Sequence, residues 1–196
     1  MTPEQRQQTT RLFVALEYGE QLAQRCALHQ STLVENNKAH RFLRAQARQE
    51  HFHAFLFHQT ADWLSPKHRI AVPEALQGFG RSLDQALQRN DLIECLVGSQ
   101  IVLEGFGEQI LKRLNRVLDN HNIGLSRQQR LILHQEQSHC AFGTRTLKTQ
   151  LEQGIHVLSE YTHLQISICI WRGVLLMTWP RYFQYWAQIQ MSALKV

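Results

Sequence analysis

Apolar residues recur at intervals of three and four positions through nearly the whole chain. The strict alternation of apolar and polar residues that marks a β-strand is hard to find. A three-to-four spacing places apolar side chains along one face of a helix, where they can pack against a neighbour. The pattern therefore predicts an all-α protein.

The first half of the chain predicts two long helices in succession. One covers roughly residues 2–29 and the next roughly residues 31–63. The segment 65–73 contains prolines at both ends of a polar stretch, and proline interrupts the hydrogen bonding of a helix. We therefore expect a loop between this pair and the rest of the chain.

A second pair of long helices follows a shorter one over residues 74–88. Its first member begins near Asp91, a residue type that caps helix N-termini, and ends near Asp119. Its second member opens with Ser126 and Gln129, the spacing of a capping box, and ends at about residue 153. The two pairs together predict a four-helix bundle over about residues 2–153.

The C-terminal residues, about 155–196, are apolar and aromatic, and Pro180 divides them into two predicted helices. Their most apolar stretch, 164–179, is shorter than the roughly 20 residues that span a bilayer and contains Arg172. We expect no transmembrane segment. At 196 residues the whole chain, 1–196, is predicted to be a single domain.

The composition of the chain indicates which kinds of partner and which cellular compartment to expect. The net charge is +5, but the basic residues are scattered rather than clustered, so the sequence does not favour a nucleic-acid partner. The polar N-terminus lacks the apolar core of a signal peptide, which predicts a cytoplasmic protein. Four widely spaced cysteines fit reduced core positions: Cys26, Cys95, Cys140 and Cys169.

Glutamates and histidines repeat in the same order in both predicted helix pairs. Each first helix carries a Glu, and each second helix carries Glu-x-x-His. The candidate metal ligands are Glu17, Glu50, His53, Glu104, Glu136 and His139. The interval between the two glutamates is 33 residues in the first pair and 32 in the second. The matched order and spacing carry the prediction, because a chain of this composition contains about one Glu-x-x-His by chance.

A Glu and a His three residues apart share one face of a helix and can reach one metal ion. A bundle with one Glu on each of two helices and Glu-x-x-His on each of the others presents four carboxylates and two imidazoles to its centre. Ionised groups in such apolar helices are costly unless they are paired or bound to metal. A third match, Glu160 with His163, has no equivalent partner Glu and is interpreted as accidental.

Two further features leave alternatives open. Glu20 and Glu108 lie one turn beyond Glu17 and Glu104, so they are additional ligands, hydrogen-bond acceptors beside the ligands, or exposed helix charges. Gly105 and Gly107 lie inside a predicted helix, where glycine costs roughly 0.8–1.0 kcal/mol relative to alanine. Close helix packing or free volume beside the metals would each explain them.

Over roughly residues 12–148 the chain resembles the ferritin-like superfamily of di-iron carboxylate proteins, which includes ferritins, rubrerythrins and di-iron hydroxylases. The resemblance implies two bound iron ions, although carboxylate and imidazole ligands also suit manganese. It implies that Glu50 and Glu136 bridge the ions, that Glu17 and Glu104 each bind one, and that His53 and His139 each bind one.

The resemblance implies an oxidoreductase, and the departures from it select among activities. A rubrerythrin-type cysteine-rich iron site is not found, since no CxxC pair occurs. The expected function is a monooxygenase or oxidase that uses dioxygen, an external electron donor and a small or apolar organic substrate; the alternative is ferroxidase activity without an organic substrate. The positive charge would also fit a tRNA substrate, and the aromatic C-terminal residues would fit a homodimer interface.

Overall fold

The structure is a computed structural model of the chain, and it describes residues 2–66, 70–120 and 126–152. Within those ranges every regular element is a helix and no strand occurs. The prediction of an all-α protein is therefore confirmed for the described part of the chain. The predicted C-terminal helices, over about residues 155–196, lie outside the described residues.

Helix α1 (Pro3–Leu33) begins with a complete capping box. The Gln5 backbone N–H donates to Thr2 Oγ1 at 3.2 Å, and the Thr2 backbone N–H donates to Gln5 Oε1 at 2.7 Å. These reciprocal bonds satisfy backbone donors that the first turn of a helix leaves without partners. The helix ends where Val34 takes an extended conformation.

Helix α2 (Asn37–Leu64) starts at a side-chain cap and returns along α1. Asn36 Oδ1 accepts from the backbone N–H groups of Lys38 and Ala39, at 2.8 and 3.2 Å. The predicted boundary between these helices, near residue 30, was four to six residues early. Asparagine is a strong N-cap, and its position sets the start of α2.

Helix α3 (Glu74–Gln88) has the predicted bounds and lies against α1. It is followed by one long helical stretch in three parts: α4 (Leu92–Cys95), the π-helical segment π1 (Leu96–Leu103) and α5 (Glu104–Asn120). Asp91 caps this stretch as predicted, since its Oδ1 accepts from the Glu94 backbone N–H at 2.9 Å. The π-helical segment was not predicted.

Helix α6 (Ser126–Glu152) runs along α5 and π1. Its bounds agree with the prediction, while the side chain of Ser126, and with it the predicted capping box, lies outside the described residues. Gly143 allows a close approach to π1, because a Cβ at that position would collide with the Gln100 side chain. The long helices thus pack chiefly as two pairs, α1 with α2 and α5 with α6.

Two apolar clusters lie at different levels along these helices. The larger contains Phe13 and Phe57, whose ring centroids are 5.9 Å apart, and the smaller contains Leu43, Leu96 and Phe142. Between the two levels lie buried acidic, imidazole and amide side chains, together with some apolar ones. The fold thereby holds a polar layer inside an apolar interior.

None of the helices in the described ranges combines the length and the apolar character needed to cross a bilayer.

Candidate metal centre

Six buried residues form the polar layer, and four helices supply them. Helices α1 and α5 each contribute one carboxylate, and α2 and α6 each contribute a Glu and a His one turn apart. The six are Glu20, Glu50, His53, Glu104, Glu136 and His139, none more than 6% exposed. Six ionisable side chains are therefore held together away from water.

The six residues form two overlapping groups of ligand atoms. One group consists of Glu20, Glu50, His53 and Glu136; the other consists of Glu50, Glu104, Glu136 and His139. Within each group the four atoms lie within 4.8 Å of one another. Glu50 and Glu136 belong to both groups, which is the arrangement of carboxylates shared between two neighbouring ions.

Glu50 lies between the two imidazoles. Its Oε1 is 2.9 Å from His139 Nδ1, and its Oε2 is 3.0 Å from His53 Nδ1. Glu136 Oε1 lies 3.1 Å from His53 Nδ1. The carboxylates from α1 and α5 lie further from the imidazoles. Glu20 Oε2 is 3.6 Å from His53 Nδ1, and Glu104 Oε2 is 3.6 Å from His139 Nδ1.

The pKa values of the buried carboxyl groups shift in different directions, because burial and neighbouring carboxylates raise them and neighbouring imidazoles lower them. Burial raises the pKa of Glu20 to about 8, although His53 beside it acts in the other direction. Burial and the neighbouring carboxylates raise the pKa of Glu136 well above its usual range. Burial also acts to raise the pKa of Glu50, but His139 and His53 outweigh it and lower that pKa to about 2.

Both imidazoles are stabilised in their charged form. Burial acts to lower their pKa values, but the carboxylates of Glu20 and Glu50 raise that of His53 to about 10. Glu104 and Glu50 do the same for His139, whose pKa is also about 10. The raised pKa values of Glu20, Glu136 and both imidazoles each favour the protonated form of the group, which reduces the crowded negative charge.

The contacts among the central atoms show whether a metal would fit between them. Both oxygens of Glu50, Oε1 of Glu136 and Nδ1 of His53 and His139 are buried and make no well-aligned hydrogen bond, only the contacts of 2.9–3.1 Å with one another. Buried polar atoms are nearly always satisfied, and here the unsatisfied ones converge on the same space. Carboxylate oxygens and imidazole nitrogens are good ligands for divalent transition metals, so these residues fit two such ions.

The structure does not bring Glu17 to this centre. Its Oε1 lies 3.1 Å from Nδ1 of His58, a residue that is about half exposed, and it accepts from Gln21 Nε2 at 3.0 Å. Glu20, one turn further along α1, is buried in the centre instead. Of the six predicted ligands the other five come together.

The lengths of the connections explain why Glu20 replaces Glu17. Three residues separate α1 from α2, and five separate α5 from α6. The interval from Glu20 to Glu50 is 30 residues and that from Glu104 to Glu136 is 32, so each interval contains 27 helical residues. Glu17 was predicted because its interval of 33 residues matches the 32 residues of the second pair. That match identifies the correct residue only if the two connections have nearly equal lengths.

The remaining acidic and imidazole candidates lie elsewhere. Glu108 belongs to neither ligand group; it is partly buried and pairs with Lys112 at 2.7 Å. His51 is exposed on α2. Phe52 and Phe55, which flank His53 in the sequence, are each about half exposed. Glu160 and His163 lie outside the described residues.

Three glutamines, which were not predicted, bond the centre from outside. His53 Nε2–H donates to Gln135 Oε1 at 2.8 Å, and His139 Nε2–H donates to Gln49 Oε1 at 2.9 Å. Gln46 Nε2 donates to Glu104 Oε1 at 2.7 Å. The sequence contains a signal for Gln49 and Gln135, because each directly precedes the Glu of a Glu-x-x-His pair.

The π-helical segment ends at the centre. The Glu104 backbone N–H donates to Ser99 C=O, five residues earlier, whereas an α-helix would pair it with residue 100. This extra residue in one turn rotates the following helix relative to α4. It also places buried Gln100 where its Nε2 donates to Gln46 Oε1 at 2.8 Å, continuing the bond to Glu104.

A cavity of about 30 Å³ lies beside three of the carboxylates, Glu20, Glu104 and Glu136. Its walls are otherwise apolar or glycine and include Phe106 and Gly107. A Cβ at Gly105 would meet no atom within 4 Å, and one at Gly107 would lie 3.8 Å from Glu136 Oε2. Close packing therefore does not require either glycine, while Gly107 provides space beside the centre.

Three described cysteines are free thiols: Cys26 and Cys95 are buried, and Cys140 is partly buried. Burial raises the pKa of each thiol above its usual range, to about 12 for Cys95 and Cys140. The prediction of core positions is confirmed for Cys26 and Cys95 but not for Cys140, and Cys169 lies outside the described residues.

Comparisons with models of protein families, with curated proteins and with solved structures found no match to this chain. The geometry of the six residues therefore carries the functional argument, and the ferritin-like resemblance stays a prediction.

Proposed function

We propose that this protein is a ferritin-like, non-haem di-iron carboxylate oxidoreductase that activates dioxygen to hydroxylate or oxidise an organic substrate. The observation that carries the proposal is the pair of overlapping ligand groups that share Glu50 and Glu136. The approach of α1, α2, α5 and α6 to these groups supports a four-helix bundle of the ferritin-like type. Glu20, rather than Glu17, takes the place of the fourth carboxylate.

The donor set supports iron as the proposed metal. Four carboxylates and two neutral imidazoles suit first-row divalent ions, with iron and manganese both compatible. Two ferrous ions held there would supply electrons for the reduction of dioxygen, and an external donor would have to return them.

The protein residues provide ligands, orientation and exclusion of water. Glu50 and Glu136 each belong to both ligand groups, which holds the two groups close together. The ring of His139 packs edge-on against Phe42, with ring centroids 6.1 Å apart, so its orientation is set by packing as well as by hydrogen bonds. The apolar clusters on either side restrict water, which strengthens electrostatic interactions inside the site.

The cavity beside the carboxylates supports dioxygen as a reactant. About 10–15 Å³ is enough for one water molecule, so 30 Å³ accommodates a diatomic molecule. Apolar walls also favour dioxygen over charged species.

The same cavity favours a second candidate function, ferroxidase activity without an organic substrate. Among the described residues it is too small for an organic molecule of more than a few atoms. A ferroxidase needs only iron and dioxygen at this position.

Oxygen consumption by the anaerobically loaded ferrous protein separates the two functions. With an electron donor and a panel of small and apolar substrates, the oxygenase proposal expects continued uptake and an oxidised organic product. Uptake that stops once the added iron is oxidised would contradict it and support the ferroxidase. Light scattering adds an independent test, since iron storage needs a large hollow oligomer.

Gly107→Leu is expected to slow the reaction with dioxygen about tenfold or more while leaving metal content unchanged. The larger side chain would enter the cavity beside Glu136, whereas the ligands themselves are untouched. Stopped-flow oxidation of the ferrous protein measures the rate, and elemental analysis measures the metal.

Gly105→Leu is the matched control, because a Cβ there meets no neighbouring atom within 4 Å. Both substitutions remove a helical glycine and are expected to gain most of the roughly 0.8–1.0 kcal/mol of helix propensity that separates glycine from alanine. Equal oxidation rates in the two variants would show that dioxygen does not use this cavity.

A further inference from the structure

The hydrogen bonds around the proposed centre have a common chemistry. Each bond that a centre residue makes to a side chain outside the centre, within the described ranges, ends on a glutamine amide. The outer partner of a metal-binding histidine is often a carboxylate, which makes the imidazole a stronger ligand. Here that partner is uncharged at both histidines.

The two histidine bonds cross between the halves of the chain. Gln49 on α2 holds His139 on α6, and Gln135 on α6 holds His53 on α2. Each glutamine immediately precedes the shared Glu of its own helix. The amide oxygen can only accept, so each imidazole must carry its hydrogen on Nε2, which leaves the Nδ1 lone pair for the centre.

The uncharged glutamine partners leave the charge balance of the centre unchanged. The centre contains four carboxylates, and its histidines as ligands are neutral. Two divalent ions balance four negative charges, and neither glutamine adds to them. A carboxylate at either glutamine position would leave excess negative charge, and its attraction to an ion grows with the ion's charge.

We propose that Gln49 and Gln135 are positioning residues that orient His139 and His53 across the two halves of the site and, because they are uncharged, keep it matched to two divalent ions. The proposal rests on the two-metal function above. Both glutamine side chains lie outside the two ligand groups.

Both glutamines can be exchanged without disturbing the core. They line an open groove of about 430 Å³ between α2 and α6, together with Phe52 and Leu131, which are each about half exposed. A glutamate in the groove keeps the shape of glutamine and adds one charge. Leucine keeps a similar volume and removes the hydrogen bond.

The test compares affinities for Mn(II) and for Ga(III), a redox-inactive trivalent ion supplied as its citrate complex. Gln49→Glu and Gln135→Glu are each expected to raise the Ga(III)-to-Mn(II) affinity ratio about tenfold or more. Gln49→Leu and Gln135→Leu are expected to weaken Mn(II) binding by roughly 10–100-fold, the usual effect of losing an outer partner. Gln137→Glu, on an exposed position beside Glu136, is the matched control and should change neither quantity.

A second readout follows the imidazoles directly. In the Zn(II)-loaded protein, the Nε2–H proton of His139 should be protected from exchange with water in NMR spectra, and Gln49→Leu should remove that protection. Unchanged affinity ratios in the Gln→Glu variants, or equal shifts in Gln137→Glu, would overturn the proposal. Wild-type protein that takes up no metal would instead contradict the two-metal function, so the two failures are distinguishable.

Discussion

Glu50→Ala is expected to abolish metal binding at both positions of the centre. Wild-type protein should retain about two equivalents of iron or manganese per chain, the number that four-helix bundles with this ligand set hold. Glu50 presents Oε1 toward His139 and Oε2 toward His53, at 2.9 and 3.0 Å, so one substitution removes a ligand from each group. The loss in affinity should exceed the roughly 10–100-fold effect of outer-partner changes. Elemental analysis after anaerobic loading and desalting gives the metal content per chain.

Three comparisons make this result specific. Glu136→Ala should behave like Glu50→Ala, because Glu136 also belongs to both groups, whereas Glu104→Ala should retain about one equivalent. Glu108→Ala, which removes only the partner of Lys112, should retain about two. Thermal unfolding checks folding and binding together: added metal should raise the Tm of wild type but not of Glu50→Ala, because only a bound ion stabilises the folded state. Full loading of folded Glu50→Ala would contradict the shared-carboxylate geometry.

Glu20→Ala is expected to empty the position beside His53 and to lower metal content from about two equivalents to about one. Glu20 is buried, and its Oε2 lies 3.6 Å from His53 Nδ1. The His139 group does not include Glu20 and should remain loaded. Titration with Mn(II), followed by electron paramagnetic resonance, counts the occupied positions.

Glu17→Ala is the matched control for Glu20→Ala, on the same helix one turn away. Glu17 pairs with half-exposed His58, so its removal should leave metal content at wild-type levels. An exposed pair of this kind contributes at most about 1 kcal/mol, so stability should change little. Loss of metal in Glu17→Ala with retention in Glu20→Ala would show that the sequence pattern, and not the structure, assigns the ligand correctly.

Helix periodicity and capping residues were sufficient to predict the all-α class and most helix boundaries. Both are local signals: Asp91 caps its helix through a backbone N–H three residues away, and the bounds of α3 follow from nearby proline and polar residues. The two Glu-x-x-His pairs were predictable for the same reason, because three residues always place two side chains on one helical face.

The fourth carboxylate and the outer partners depended on how the helices meet. Choosing Glu20 over Glu17 requires the length of each connection to within two residues, and the sequence does not define helix ends that closely. The π-helical turn before Glu104 carried no recognised local signal, and it occurs where buried Gln100 bonds to Gln46 of another helix.

The sequence by itself determined which residue types could serve as metal ligands and which of them share one face of a helix, because these depend on side-chain chemistry and on the fixed geometry of one helix. Only the tertiary structure decided that Glu50 and Glu136 face both ligand groups, that Glu20 joins them and that Gln49 and Gln135 hold the opposite histidines. Those relations join residues 30 to 116 positions apart, and they depend on the register between packed helices, which no local pattern encodes.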